Sequence, residues 1–166
     1  MVKENDHIPE DQELQRLAET LIRKQTTMTL ATAQGNVAWA APIYYVYLRS
    51  CFYFFSEQDS RHIQDSLASD QASSAIFADA STWQEIRGIQ MSGTIETVSA
   101  GLEALEVIRA YLKKFSFTKE FFSPGQKLDL AAFAKRFRVR LYKFKPAAMY
   151  YLDNGIEFGF RKKIVI

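Results

Sequence analysis

Apolar residues recur along this chain in two periods, and the switches between them mark its elements. Between Asp11 and Lys24, Leu14, Leu17, Ala18, Leu21 and Ile22 fall three and four apart, which predicts an amphipathic helix. Glu10, Asp11 and Glu13 near its start and Arg23 and Lys24 at its end suit the helix dipole. From Thr27 the pattern changes to the apolar runs TMTLATA, VAWAAPIYYVYL and CFYFFS, joined by turns at Gln34-Gly35-Asn36 and Arg49-Ser50. A polar stretch ending Ser60-Arg61-His62 follows, where Asp59 or Ser60 can cap a short helix through Leu67. Ala75 to Ala78 reads as a short strand, Asp79 to Gln84 as a loop, and Ile86 to Val98 as a longer strand. On that strand Ile89, Met91, Gly93 and Ile95 share one face, and Gly88, Gln90, Ser92 and Thr94 the other. Gly88 and Gly93 inside it predict a bulge or a close backbone approach.

Leu102, Leu105, Ile108, Leu112 and Phe115 return to the helical period. Phe117, Phe121 and Phe122 then lie in a loop closed by Pro124-Gly125, and Leu128 to Lys135 forms a short helix. Phe137, Val139 and Leu141 alternate with Arg138 and Arg140, opening a strand that continues, with a bulge near Tyr142, towards Leu152. Asp153-Asn154-Gly155 turns into a last strand, Ile156 to Phe160, and the basic tail Arg161-Lys162-Lys163. One run breaks the usual rule. Val37 to Leu48 carries no charge in twelve residues and is apolar on both faces. A sheet with one wet face alternates apolar with polar, so both faces here need cover. Pro42 inside the run interrupts its ladder, at an edge or a bulge. Antiparallel hairpins with helices at the margins predict a mainly β fold, an antiparallel barrel of about six strands. Residues 1–166 read as one domain with residues 1–9 a loose tail.

Composition narrows the function. The formal net charge of +2 over 166 residues makes no case for nucleic acid. The one cysteine, Cys51, excludes a disulfide within the chain and fits a reduced, cytoplasmic setting as a small core residue. No stretch approaches the ~20 apolar residues of a membrane span. His7 and His62 are the only histidines, and no cluster has metal-ligand spacing. Ser60, His62 and Asp59 could form a hydrolytic set on paper, but sequence neighbours rarely converge so. Tyr111-Leu112-Lys113-Lys114 reads as ordinary helix surface.

The run MTLATA, the Gly-Asn turn, the strand ending PIYYVY, FYFFS, SRH opening a helix and RGIQMSG together resemble the FMN-binding split-barrel superfamily typified by pyridoxamine 5′-phosphate oxidase. RGIQMSGTIETV and FGFRKK are similar to its uncharacterised YhbP-like branch. The resemblance implies a six-stranded split barrel and a homodimer with FMN and a small-molecule substrate at its interface. It further implies a phosphate held by Ser60, Arg61 and His62, and a ring passing Ala41, Pro42, Ile43, Phe55 and Ser56, with Gly88 and Gln90 near its edge. In the oxidase an arginine aligns with Ala41 and lysines with Val46 and His62, so Arg161 or Lys162 becomes the candidate replacement cation. The Phe158 to Lys162 segment is the candidate contribution of a second subunit. The oxidase's Tyr-x-x-x-Arg substrate segment has no counterpart, which argues against that enzyme itself. The expectation is an FMN-dependent oxidoreductase with no catalytic acid or base assigned. The alternatives are a flavin or haem-type binder without turnover and an apo dimeric binding module. Arg61 is expected to be exposed, so that its loss would cost binding and not stability.

Overall fold

A computed structural model describes residues 8–121, 134–135 and 138–165. The helix expected from the first apolar stripe is α1, Asp11–Lys24, with Leu14, Ala18 and Ile22 fully buried. Three runs follow as four strands: β1 (Thr27–Gln34), β2 (Val37–Tyr44), β3 (Val46–Leu48) and β4 (Cys51–Glu57). Both expected turns form, with positive φ at Gly35, Asn36, Arg49 and Ser50. Then come α2 (Arg61–Ser69), β5 (Ala72–Phe77), a 3-10 turn at Trp83–Glu85, β6 (Arg87–Thr97) and α3 (Leu102–Lys114). A 3-10 segment at Ser116–Phe121 and the strands β7 (Val139–Asp153) and β8 (Arg161–Ile164) complete the described chain. The expected Pro124-Gly125 loop, the Leu128 start of a helix and the Phe137 start of β7 lie outside the described residues.

The strands make one antiparallel sheet in the order β2-β1-β5-β6-β7-β4-β3, with β8 added to β7. There are eight strands rather than six, and two of the expected strands differ from the sequence reading. The Val37 to Leu48 run breaks at Tyr45, where β2 leaves β1 and β3 joins β4. The last strand is Arg161–Ile164, because residues 154–160 are taken up by turns; the basic segment is therefore a strand and not a tail. The sheet curls until β2 approaches β4, but no ladder joins them. It is a split barrel.

Its interior holds Met28 and Leu30 of β1, Ile76 of β5, Ile89 and Met91 of β6, and Phe54, Tyr142 and Phe144 of β4 and β7. Helix α1 closes it at one end, and α2 contributes Ile63. A second cluster lies under α3, where Val46, Tyr53, Val107, Tyr111 and Leu141 pack together. That cluster covers Val46 and Leu48, so the chain itself shields part of the face the sequence left open. Tyr111 is correspondingly no surface residue: its hydroxyl donates to the carbonyls of Tyr44 (2.8 Å) and Tyr53 (3.0 Å).

Pro42 stays in register opposite Thr29, because β2 is an edge strand with a neighbour on one side only. The bulge in the long hairpin lies at Ala147, skipped where Ser92 pairs Ala148 and Gly93 pairs Pro146, and not near Tyr142. Gly93 explains the position: a Cβ there would fall onto the Lys145 carbonyl. At Gly88 it would lie 2.8 Å from the Ile76 carbonyl oxygen. Both glycines therefore permit close backbone approach, as the strand pattern suggested. Gly93→Ala is expected to lower stability by at least about 2 kcal/mol, since backbone cannot yield to the methyl group. An unchanged urea-unfolding midpoint would contradict this packing.

Candidate functional site

Where the barrel stays open, β2 and β4 face each other, and four of the expected residues gather beside that seam. The N-terminal end of α2 follows β4 after one tight turn, which brings Ser60, Arg61 and His62 back onto Ser56. His62 Nε2 lies 2.8 Å from Ser56 Oγ and 3.3 Å from Ser60 Oγ. Ser56 and Ser60 hydroxyls are 3.0 Å apart, and Ser60 donates to the Glu57 carbonyl (2.8 Å) instead of capping the helix. Sequence neighbours thus do converge here, but with Ser56 in the third place rather than Asp59. Among the described residues no carboxylate is hydrogen-bonded to His62 as in a hydrolytic triad. Burial pushes the His62 pKa down, against a smaller upward pull from Asp65, so the ring is neutral at pH 7. It serves as a hydrogen-bonding group there and does not replace a lysine.

Arg61 is the cation of this corner. Its Nε sits 3.4 Å from Asp65 Oδ2, and its guanidinium lies 4.7 Å above the Trp39 ring. Asp65 is buried and also accepts from Thr32 Oγ1 at 3.4 Å. The side chain of Arg61 is 43% exposed, as expected. Its loss would nevertheless leave a buried carboxylate without its partner, so stability is coupled to it after all.

The remaining expected residues divide between two faces. Ala41 and Ile43 turn inward opposite Leu30 and Met28, while Pro42 turns outward at the seam. Phe55 packs edge-on against Tyr111 at 5.0 Å. Gly88 and Gln90 lie on β6, three strand spacings from β2 and so about 14 Å away along the sheet. Arg161 lies beyond them on β8, 5.8 Å from the Tyr150 ring. Lys162 points to the opposite face, where its Nζ meets Asp11 Oδ1 at 2.5 Å. The expected set therefore forms two groups within one chain, a seam group and a β6–β8 group.

What joins them is the outer face of the sheet. Residues directly opposite share a face, and two cross-strand rows can be followed from β2 to β7. One reads Ala40, Ala31, Ser73, Ser92, Ala148; the next reads Pro42, Thr29, Ala75, Gln90, Tyr150. All ten side chains are exposed or half-buried, and none is charged. A charge-free double row of mostly small residues across five strands is unlike a solvated face, which would carry Lys and Glu. The alternation within β6 hinted at it; the contribution of β1, β2 and β5 needed the register.

The pyridoxamine 5′-phosphate oxidase family model matches residues 14–153. The chain belongs to this family. The UPF0306 protein YhbP of Escherichia coli O157:H7 is 23% identical over 146 residues, covering 87% of this chain and 86% of the relative. Among solved structures, a FAD-binding protein from Mesorhizobium loti matches with a TM-score of 0.60 at 16% identity, over 81% of this chain and 90% of that one. HutZ, the heme storage protein from Vibrio cholerae, matches with a TM-score of 0.62 at 14% identity, over 80% of this chain and 89% of that one. The solved structures share the split-barrel fold, and the YhbP relative puts the chain in the YhbP-like branch. Among the described residues no helix is long and apolar enough to cross a membrane, and no group of His, Cys, Asp and Glu could hold a metal ion.

The half-buried His62 sets a pH dependence. Its folded pKa lies below its unfolded value of about 6.5, so the stability tied to the neutral ring is present above that pH. It is lost as pH falls through the folded value, because the unfolded chain takes up the proton first. Urea-unfolding midpoints are expected to drop between pH 7.5 and 5.5 in the wild-type chain and to drop less in His62→Asn. Equal losses in both would show that another group titrates.

Proposed function

We propose that this protein binds a flavin along the seam between β2 and β4, as a homodimer in which the outer sheet faces meet, and that it acts as a flavin-dependent oxidoreductase on a small molecule. The uncharged double row on that face carries the proposal. A planar ring system needs flat apolar contact with polar groups only at its edge, and Gln90 and Thr29 are the polar members of one row. A phosphate needs a cation with hydroxyl and N–H donors, and Arg61, Ser56, Ser60 and the neutral His62 supply them. FMN combines the two parts and is the smallest ligand that fits both. When bound, the flavin supplies the electron-transfer chemistry; the chain orients it and excludes water.

The dimer follows from the same surface. Gln90 and Arg161 cannot reach the Arg61 corner of their own chain, so the second copy supplies them to each site. Phe158, 77% exposed and stacked edge-on with Trp83 at 5.5 Å, would then be covered. Two-fold pairing of one patch with itself is the commonest way to bury such a surface. Tyr44 is a poor probe of this surface, since its ring packs on Phe115 and Phe117. The haem reading rests on neighbours' names. His62 Nε2 is already hydrogen-bonded to two serines, so nothing at the seam favours it.

Titration of the purified protein with FMN, followed by flavin fluorescence, is expected to show saturable binding. Replacing Arg61 by Ala is expected to cost about 1.5–3 kcal/mol of flavin affinity. The comparison belongs in an Asp65→Asn background, which removes the orphaned carboxylate. Unchanged affinity would move the phosphate elsewhere. Light scattering at micromolar protein is expected to give twice the 19.1 kDa chain mass. Ala40→Glu, at the β2 end of the uncharged face beside the seam, is expected to give monomers that also lose flavin. A monomeric wild-type chain would end the shared-site reading.

A further inference from the structure

We infer that the flavin site extends past its phosphate corner into a nucleobase subsite formed by Trp39 and Arg61, so that FAD is held more tightly than FMN. This rests on the flavin reading above and specifies which flavin the site prefers.

Trp39 lies on the inward row of β2, one step in from Val37 at its end and opposite Thr32, and remains 44% exposed. Further along that row Ala41 and Ile43 sink into the barrel, while Trp39 and Val37 stay exposed, and the indole is the aromatic surface that Arg61 of α2 meets. The Arg61 guanidinium covers it at 4.7 Å. Asp65 engages only Nε of that group, and among the described residues no acceptor meets its Nη atoms. A guanidinium held over an indole at the surface offers a stacking partner with donors at its rim. FMN ends at its phosphate and has nothing to place there. An adenosine joined through a second phosphate does.

Charge points the same way. The terminal phosphate of FMN is close to a dianion at pH 7, and the corner offers it little net positive charge. Within one chain Asp65 offsets Arg61, His62 is neutral, and Ala41 and Val46 bring no cation, so among the described residues the Arg161 supplied by the second copy is the one cation left there without an offset. A pyrophosphate diester carries one charge per phosphorus, spread over more oxygens. The hydroxyls of Ser56 and Ser60 and the imidazole can meet these as neutral partners. Stacking on the Trp39–Arg61 pair then supplies attraction that does not depend on charge.

The test is a pair of titrations, FMN and FAD, on the wild-type protein, Trp39→Ala and Trp39→Phe. FAD is expected to bind the wild-type chain about tenfold or more tightly than FMN, the scale of one base–aromatic stack. Trp39→Ala should remove that difference while FMN affinity stays within about twofold, and Trp39→Phe should restore most of it. AMP should displace FAD and leave bound FMN in place, a measurement that needs only the wild-type protein. FMN binding as tightly as FAD would overturn the subsite and leave the flavin reading standing. Equal loss of both flavins in Trp39→Ala would make the indole a support for Arg61 only, and would also overturn it. If neither flavin binds, the flavin reading fails and the subsite with it.

Discussion

The architecture turns on Tyr45. A single apolar run has to pair with β1 on one side of the barrel and with β4 on the other, and it changes allegiance at this residue. The switch is held by three hydrogen bonds. The Tyr45 amide donates to the Thr26 carbonyl (3.2 Å), its hydroxyl donates to Ile22 at the end of α1 (2.6 Å), and its carbonyl accepts from Lys114 Nζ (3.0 Å). The ring is fully buried, which raises its pKa and keeps the hydroxyl a donor at any ordinary pH. Lys114 lies 4.0 Å over its face. Burial lowers the Lys114 pKa to about 8, while the ring and the carbonyl hold the charged form in place. A strand bent here cannot continue along β1, and the gap it leaves is the seam beside which Ser56, Arg61 and His62 assemble.

The proposed chemistry depends on a division of labour between the two sides of one sheet. The inner side carries the stability, in a dry core of aliphatic and aromatic residues closed by α1. On the outer side α3 buries a second cluster over β3, β4 and Leu141 of β7, while the small uncharged residues of the β2, β1, β5 and β6 rows are left free to meet something flat. Between them stands the α2 corner. There Asp65 is buried enough to demand a partner, and Arg61 satisfies it without leaving the surface. The same ion pair therefore serves the fold and fixes the cation in the orientation a phosphate would meet.

Much of this was readable from periodicity. Helix α1 falls where Leu14 to Ile22 place it, both hairpin turns lie at residues able to adopt positive φ, and Gly88 and Gly93 mark close approach. The two-faced run correctly announced that its barrel could not cover it alone. The break within that run was not legible. A uniformly apolar stretch offers no change of period, and Pro42, its one obvious irregularity, is tolerated at the edge. The strand at Arg161–Ile164 was hidden because Lys162 and Lys163 read as solvated charge; one of them pairs with Asp11 across the barrel end. The union of Ser56 with His62 was likewise invisible, since it requires a strand end, a turn and a helix start to fold back within six residues. The charge-free outer rows emerge only when register aligns residues from β1, β2, β5, β6 and β7.

Pro42 has a further consequence. It keeps its place opposite Thr29, so the N–H it lacks belongs to the side of β2 that no strand covers. An eight-residue apolar edge would otherwise present a continuous template for strand addition by other copies. One missing donor in the middle of that edge interrupts the ladder any incoming strand would have to build. The protein can thus keep a sticky rim next to its site while resisting growth into fibres. Side-by-side association is blocked, and contact through the faces is left open.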